Sequence, residues 1–78
     1  MVVEEEVEIV SRIETVIFPR ITQPLPIVMI TYVTKTLPPA TVQIEKKAYS
    51  AEEERRRIHA DIAKRLEVKL EELKLKFV

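Results

Sequence analysis

The chain has 78 residues, and its 13 basic and 13 acidic side chains give a formal net charge of zero, so no general attraction to nucleic acid or to an anionic membrane is expected. It contains no Cys, which excludes disulfides and thiolate metal sites, and a single His, which argues against a structural zinc site. It contains no Gly, which excludes phosphate-binding loops of the Walker and dinucleotide types.

Length and residue usage bound the class of protein. A chain of this size forms one domain, residues 1–78, whose core supplies roughly 3–5 kcal/mol of net stability, so oligomerisation is the expected extra support. The acidic N-terminus lacks the layout of a secretory signal, and no apolar run reaches the roughly 18 residues that span a bilayer. We therefore expect a cytoplasmic protein with no membrane partner. Charged residues make up 33% of the chain, while Asn and Trp are absent, a usage typical of thermophilic proteins.

The first predicted element is a strand over residues 5–18. Alternation predicts one face of this strand made of Val7, Ile9, Ile13 and Ile17 and another made of Val10, Val16 and Phe18. A helical period groups several of the same side chains, so periodicity alone does not separate strand from helix. The β-branched content and the following Pro19 favour the strand.

Prolines mark the connections on either side of the second strand. Three of them predict a loop at residues 19–26, followed by a second strand at residues 27–36 that is apolar on both faces. The LPPA segment has neither Gly nor Asn, which favours a wider hairpin loop before a third strand at residues 41–48. With that loop centred between its prolines, Val33 lies opposite Ile44 and Tyr32 lies opposite Glu45.

Symmetric pairing across the first loop assigns the remaining side chains to two faces of the sheet. Ile17 comes opposite Val28, and Ile13 comes opposite Tyr32. One predicted face consists of Ile27, Met29, Val33, Val42 and Ile44. The other predicted face is a continuous apolar patch made of Ile13, Ile17, Val28, Ile30 and Tyr32. An exposed patch of this kind marks an interaction surface.

A helix and a final strand follow. The stretch SAEE, from Ser50 to Glu53, is a capping-box pattern that predicts a helix start. The apolar stripe of this helix, which is expected to cover the first face, consists of Ala51, Ile58, Ile62 and Leu66. The alternating side chains of the final strand are Leu73, Leu75 and Phe77. The predicted fold is α+β, with a small antiparallel or mixed sheet of about four strands in the order βββαβ and one helix on one face.

Basic residues on the helix offer an alternative function. A small nucleic-acid-binding regulator with a helix over residues 51–67 would use Arg55, Arg56, Arg57, Lys64 and Arg65. Acidic residues stand four positions before three of these arginines, in the pairs Glu52–Arg56, Glu53–Arg57 and Asp61–Arg65. Much of the positive charge is therefore expected to be neutralised within the helix, and nucleic acid is the less favoured partner.

No arrangement of side chains predicts catalysis. His59 has no carboxylate or second ligand on its own face of the helix, so a partly buried His bonded to a nearby group is expected. Ser50 is already used as a helix cap, and Ser11 has no His or Asp near it in the sequence. We expect no enzyme activity, no catalytic residue, no metal and no cofactor.

The apolar patch of the second face supplies the leading functional prediction. The chain is expected to be a small non-enzymatic interaction or structural module that homo-oligomerises, as a homodimer, through an apolar sheet face. The sequence does not identify any further protein partner.

Overall fold

The computed structural model of the chain describes residues 2–78 and contains four strands and one α-helix. The strands are β1 (Val3–Arg20), β2 (Gln23–Thr34), β3 (Ala40–Glu45) and β4 (Leu73–Phe77), and the helix is α1 (Ala51–Leu66). Short 3-10 turns at Lys46–Ala48 and Leu70–Glu72 flank the helix. The α+β class and the element order βββαβ are confirmed.

The sheet has the strand order β3-β2-β1-β4. The two hairpins make β1–β2 and β2–β3 antiparallel, whereas β4 runs parallel to β1 because the chain crosses back through α1. The predicted alternation of β4 is confirmed, since Leu73 is buried and Leu75 and Phe77 are half-buried, with Lys74 and Lys76 exposed between them. The sheet is therefore mixed, with short strands at both edges.

The first hairpin has a much tighter connection than the predicted loop at residues 19–26. Arg20 pairs with Gln23, so only Ile21 and Thr22 form the turn. Pro24 and Pro26 lie in β2 beyond its pairing with β3, where the missing N–H groups break no ladder to a third strand. The prediction was wrong because prolines end a central strand but are tolerated where one edge is unpaired.

The observed registers reverse the predicted faces. Ile44 lies opposite Val28 instead of Val33, and Ile13 lies opposite Met29 instead of Tyr32. Both differences are an odd number of residues, and an odd shift moves every side chain of a strand to the other face. The third strand is also shorter than the predicted residues 41–48, because Lys46–Ala48 turn away from the sheet.

The core lies between α1 and the β2 face that was predicted to be exposed. Its buried members are Val7, Val28, Ile30, Tyr32, Ile44, Ile58, Ile62, Ala63 and Leu73. Ile58 and Ile62 come from the predicted helical stripe, with Leu66 packed beside them, whereas Ala51 is exposed at the first turn. Val28, Ile30 and Tyr32 therefore belong to the monomer core and are not available to a partner, which corrects the predicted interface.

Both ends of α1 are capped, the first by a side chain and the second by backbone hydrogen bonds. The Ser50 hydroxyl accepts a hydrogen bond from the Glu53 amide at 3.0 Å, which confirms half of the predicted capping box. The Glu53 carboxylate binds Arg56 and Arg57 instead of the Ser50 amide. The helix ends at Glu67, whose φ of 57° is left-handed and whose amide donates to the Ala63 and Lys64 carbonyls. The Val68 amide also donates to the Ala63 carbonyl, which completes a Schellman motif on a glutamate in a chain without Gly.

Candidate functional site

β1 and β2 extend beyond the rest of the sheet as a two-stranded arm, residues 16–26. β4 pairs only with Val3–Val7 of β1, and β3 pairs only with Ile27–Tyr32 of β2. The molecule measures 47 × 22 × 21 Å. Its radius of gyration is 13.7 Å, against about 11.5 Å for a compact domain of this length. A two-stranded ribbon alone is marginally stable in water at best, so the arm is expected to need further contacts.

Exposed apolar side chains are concentrated on β1 and at the tip of the arm. The exposed fractions are 54% for Val10, 56% for Ile13, 46% for Val16, 62% for Phe18 and 95% for Ile21. Single exposed apolar residues are common on protein surfaces, but a run of them along one strand is not. Ile13 lies on one face of the sheet and Val16 and Phe18 on the other, so what the run shares is the strand β1 itself, which is the strongest candidate for an interaction surface.

Two of the five predicted interface residues remain on a surface that a partner can reach. Ile13 and Ile17 lie on the face of the sheet away from α1, which we call the open face, and they are exposed and half-buried respectively. Their neighbours across the hairpin are Met29 and Leu25. The apolar side chains of the open face are therefore Ile13, Ile17, Leu25, Ile27, Met29 and Val33, of which Ile27 is itself buried.

Hydroxyl side chains border this apolar part of the open face. Ser11 lies opposite Thr31, and Thr31 lies opposite Thr41, with 3.0 Å between the two threonine Oγ1 atoms. Thr15 lies opposite Ile27. Ile27 is only 2% exposed, although it does not belong to the core cluster between the sheet and α1. An apolar centre with a polar border is the usual anatomy of a protein–protein contact.

The five basic residues of the alternative function do not form one surface. Arg55 and Arg56 line a shallow depression beside β4, whereas Arg57 and Lys64 line another beside β3. Arg65 points to the core side, where Nη1 donates to the Tyr32 hydroxyl at 3.1 Å and Nη2 donates to the Pro38 carbonyl at 2.7 Å. A single nucleic-acid groove would require these cations on one face.

Acidic neighbours also neutralise part of this charge. Glu53 binds both Arg56, at 2.5 Å, and Arg57, at 2.8 Å, so the predicted pair with Arg57 is present and Arg56 uses Glu53 instead of Glu52. These two arginines lower the pKa of the Glu53 carboxyl to about 2. Arg55 lies over the Phe77 ring, 5.1 Å from its centroid. The helix surface is thus largely paired within itself.

Sequence reasoning missed an ion pair between β1 and α1, in which the Glu54 carboxylate is buried and the Arg12 side chain is half exposed. Glu54 is 4% exposed and accepts two hydrogen bonds from Arg12, at 2.6 and 2.9 Å, and one from the Tyr49 hydroxyl at 3.0 Å. The signal for it was present, because Glu54 stands four residues before Ile58 on the buried stripe of the helix. Arg12 could not be identified as the partner without the register of β1.

A second polar group closes the opposite side of the core. The buried Tyr32 donates its hydroxyl proton to Asp61 and accepts a hydrogen bond from Arg65. Burial, with the bond to Asp61, raises the pKa of Tyr32 to about 12. Asp61 thus serves Tyr32 instead of the predicted pair with Arg65. The tyrosine that was expected at a dimer interface fixes α1 to the sheet.

The remaining candidate residues have structural partners. His59 Nε2 donates to the Leu73 carbonyl at 2.9 Å, which confirms the expected half-buried His bonded to a neighbour. Among residues 2–78, no group of three or more His, Cys, Asp or Glu side chains could hold a metal ion. A surface depression of about 570 Å³ mixes glutamates 4–6 with Lys35, Lys74 and Lys76, so it favours neither sign of ligand.

Comparison with known proteins gives no guide to this surface. No protein family, no curated protein and no solved structure gives a significant match to the chain. No helix within residues 2–78 combines the length and the apolar character needed to cross a membrane.

Proposed function

We propose that this chain is a non-enzymatic interaction or structural module that forms homodimers through β1 and the arm. The observation that carries the proposal is an excess of surface. The chain exposes 5697 Å² of solvent-accessible area. A compact monomer of 9.1 kDa exposes about 4,900 Å². The extended arm thus adds about 800 Å² of surface, enough to supply the area that each partner buries in a protein–protein interface of standard size.

The location of this surface supports a second copy as the partner. The exposed apolar side chains of β1 and the arm tip, from Val10 to Ile21, lie on the part of the sheet that α1 leaves uncovered. A chain of 78 residues without Cys has no disulfide to support its small core. Oligomerisation can stabilise such a chain by burying further apolar surface, without a disulfide or a metal. A homodimer in the cytoplasm, where disulfides do not form, fits this composition.

Sedimentation equilibrium of the purified chain tests the proposal. Between about 1 and 500 μM, the mass is expected to approach twice 9.1 kDa. Two variants with equal charge changes at equally exposed sites provide the comparison, because Ile13 is 56% exposed on β1 and Leu70 is 52% exposed far from it. Ile13→Lys should raise the dimer dissociation constant at least tenfold, and Leu70→Lys should leave it unchanged.

Two results would contradict the proposal. One is a parent chain that sediments as a monomer across the whole concentration range. The other is equal loss of association in the two lysine variants, which would indicate a general charge effect instead of an interface at β1. No observation favours the nucleic-acid alternative, since its five cations are divided between different sides of α1.

A further inference from the structure

The outer edge of β1 is a long strand edge without a neighbour. β4 accompanies β1 only from Val3 to Val7, where the Val78 amide makes the last contact by donating to the Val7 carbonyl. From residue 8 to residue 20, β1 pairs with β2 on one side and, among residues 2–78, with no strand on the other. Such an edge offers a row of backbone donors and acceptors to another chain.

The sequence of this edge is complementary to itself. The segment SRIET, from Ser11 to Thr15, reads Thr, Glu, Ile, Arg, Ser in the reverse direction. We propose that two copies of the chain pair their β1 edges antiparallel about a two-fold axis at Ile13. This inference rests on the proposed homodimer and specifies which surface forms it.

Each pair in this register joins compatible side chains. Ile13 lies opposite the partner's Ile13, Arg12 opposite the partner's Glu14, and Ser11 opposite the partner's Thr15. Opposed apolar, oppositely charged and hydroxyl pairs are the combinations that stabilise antiparallel strands. Arg12 uses Nε and Nη2 for Glu54, so its Nη1 can serve a second carboxylate. Glu14 is exposed and holds only the exposed Lys46, at 3.2 Å.

The bulge of β1 extends the match. Val10 is the extra residue, since Ile9 pairs with Tyr32 and Ser11 pairs with Thr31. When the same two-for-one count is applied on the outer edge, Ile9 comes opposite the partner's Val16. This pair is apolar and lies on the side of the sheet that carries α1. It would cover Val16, one of the exposed side chains of β1.

The ends of the edge fit the same axis. Beyond the partner's Ile17, the next residue of the partner arrives where β4 already occupies the edge of β1 at Val7, so the ladder ends there. Directly opposed residues share a face, so the axis must pass through a residue position. An axis at Glu14 would oppose two glutamates, and an axis at Thr15 would oppose Arg12 with the partner's Phe18. Of these three axes, the one at Ile13 alone pairs Arg12 with a glutamate. An axis at Ile17 would pair Glu14 with the partner's Arg20, but it would place Pro19, which has no N–H to donate, within the ladder opposite the partner's Thr15.

Disulfide trapping tests this register in a chain that has no native Cys. Opposed Cα atoms in an antiparallel pair are about 4.5–5.5 Å apart, within the range of a disulfide. Ile13→Cys alone should therefore cross-link. Ser11→Cys and Thr15→Cys should each fail to cross-link alone. In this register Ser11 of one copy is offset by four residues, about 14 Å, from Ser11 of the other copy, and the same holds for Thr15. The two variants should cross-link when they are mixed, because Ser11 lies opposite the partner's Thr15. Leu70→Cys measures random collision.

The outcomes separate the edge register from the homodimer itself. Cross-linking of Ile13→Cys and of the mixture, at least tenfold faster than Leu70→Cys, supports the edge register. Stacked open faces would hold backbones about 10 Å apart, beyond disulfide reach, so a sedimenting dimer without these cross-links overturns the register and leaves the proposed function standing. Cross-linking of Ser11→Cys alone would also overturn it. A monomeric parent chain would overturn both proposals.

Discussion

Arg12 and Glu54 are 42 residues apart in the sequence and form a bidentate ion pair, with Nε 2.6 Å from Oε1 and Nη2 2.9 Å from Oε2. The pair fixes the first turn of α1 to the middle of β1. The Tyr49 hydroxyl donates to Oε1 at 3.0 Å, so the buried carboxylate is satisfied on several sides. A carboxylate in this position stabilises the fold only while its cation is present.

Arg12→Ala is expected to lower the free energy of unfolding by about 1–3 kcal/mol, because it leaves the Glu54 carboxylate without its cation at a site that solvent reaches from the half-exposed Arg12 side. Urea denaturation at a fixed protein concentration measures this change. The control is Lys46→Ala, which removes an exposed pair with Glu14 and should cost less than about 0.5 kcal/mol. Equal effects of the two substitutions would contradict a special role for the pair with the buried Glu54 carboxylate.

Acid should weaken the fold through the same carboxylate. The hydrogen bond from Arg12 lowers the pKa of the Glu54 carboxyl below its usual 4.5, although burial opposes the shift. The unfolded chain therefore takes up this proton first, so the contribution is complete above about pH 4.5 and is lost as the pH falls towards the folded pKa. Melting temperatures at pH 7, 4 and 3 test this. Glu54→Gln should be destabilised at pH 7 and should approach the parent at pH 3.

Local signals predicted those parts of the fold that depend on a few neighbouring residues. The start of α1 followed from Ser50 and its capping pattern, and β4 followed from the alternation of Leu73, Leu75 and Phe77. Both signals fix a structure without reference to the rest of the chain. The order βββαβ then followed from the positions of the predicted strands and helix along the chain.

The register of β2 could not be predicted from its own residues. From Ile27 to Val33 both faces are largely apolar, so a shift of one residue exchanges two hydrophobic surfaces and carries no obvious penalty in the pattern. The turn that sets the register, at Ile21 and Thr22, lacks the Gly or Asn that normally marks a two-residue hairpin. For this reason the buried side of the sheet was assigned wrongly, while the candidate residues on β1 kept their exposed side.

Glu67→Gly should stabilise the chain by up to about 1 kcal/mol. Glu67 has a φ of 57°, and a left-handed conformation costs a residue with a Cβ roughly 1–2 kcal/mol. Glycine avoids this cost, but it loses more backbone entropy on folding, which offsets part of the gain. The control is Lys64→Gly in the right-handed last turn, which should destabilise by about 1 kcal/mol. Thermal melts of both variants are sufficient, and destabilisation by both would contradict the strain argument.

Substitution by aspartate should have different effects at Ile30 and at Ile13. Ile30 is completely buried in the core beneath α1, whereas Ile13 is 56% exposed on the open face. An aspartate at Ile30 places a carboxylate in an apolar core without a cation to pair with it, a cost that equals or exceeds the roughly 3–5 kcal/mol available to a domain of this size. Ile30→Asp should therefore unfold the chain, with loss of its far-ultraviolet circular dichroism and of its cooperative melt. Ile13→Asp should keep the fold and weaken only self-association, seen as a lower mass by sedimentation. A folded Ile30→Asp chain that is merely monomeric would show that the buried and open faces have been assigned the wrong way round.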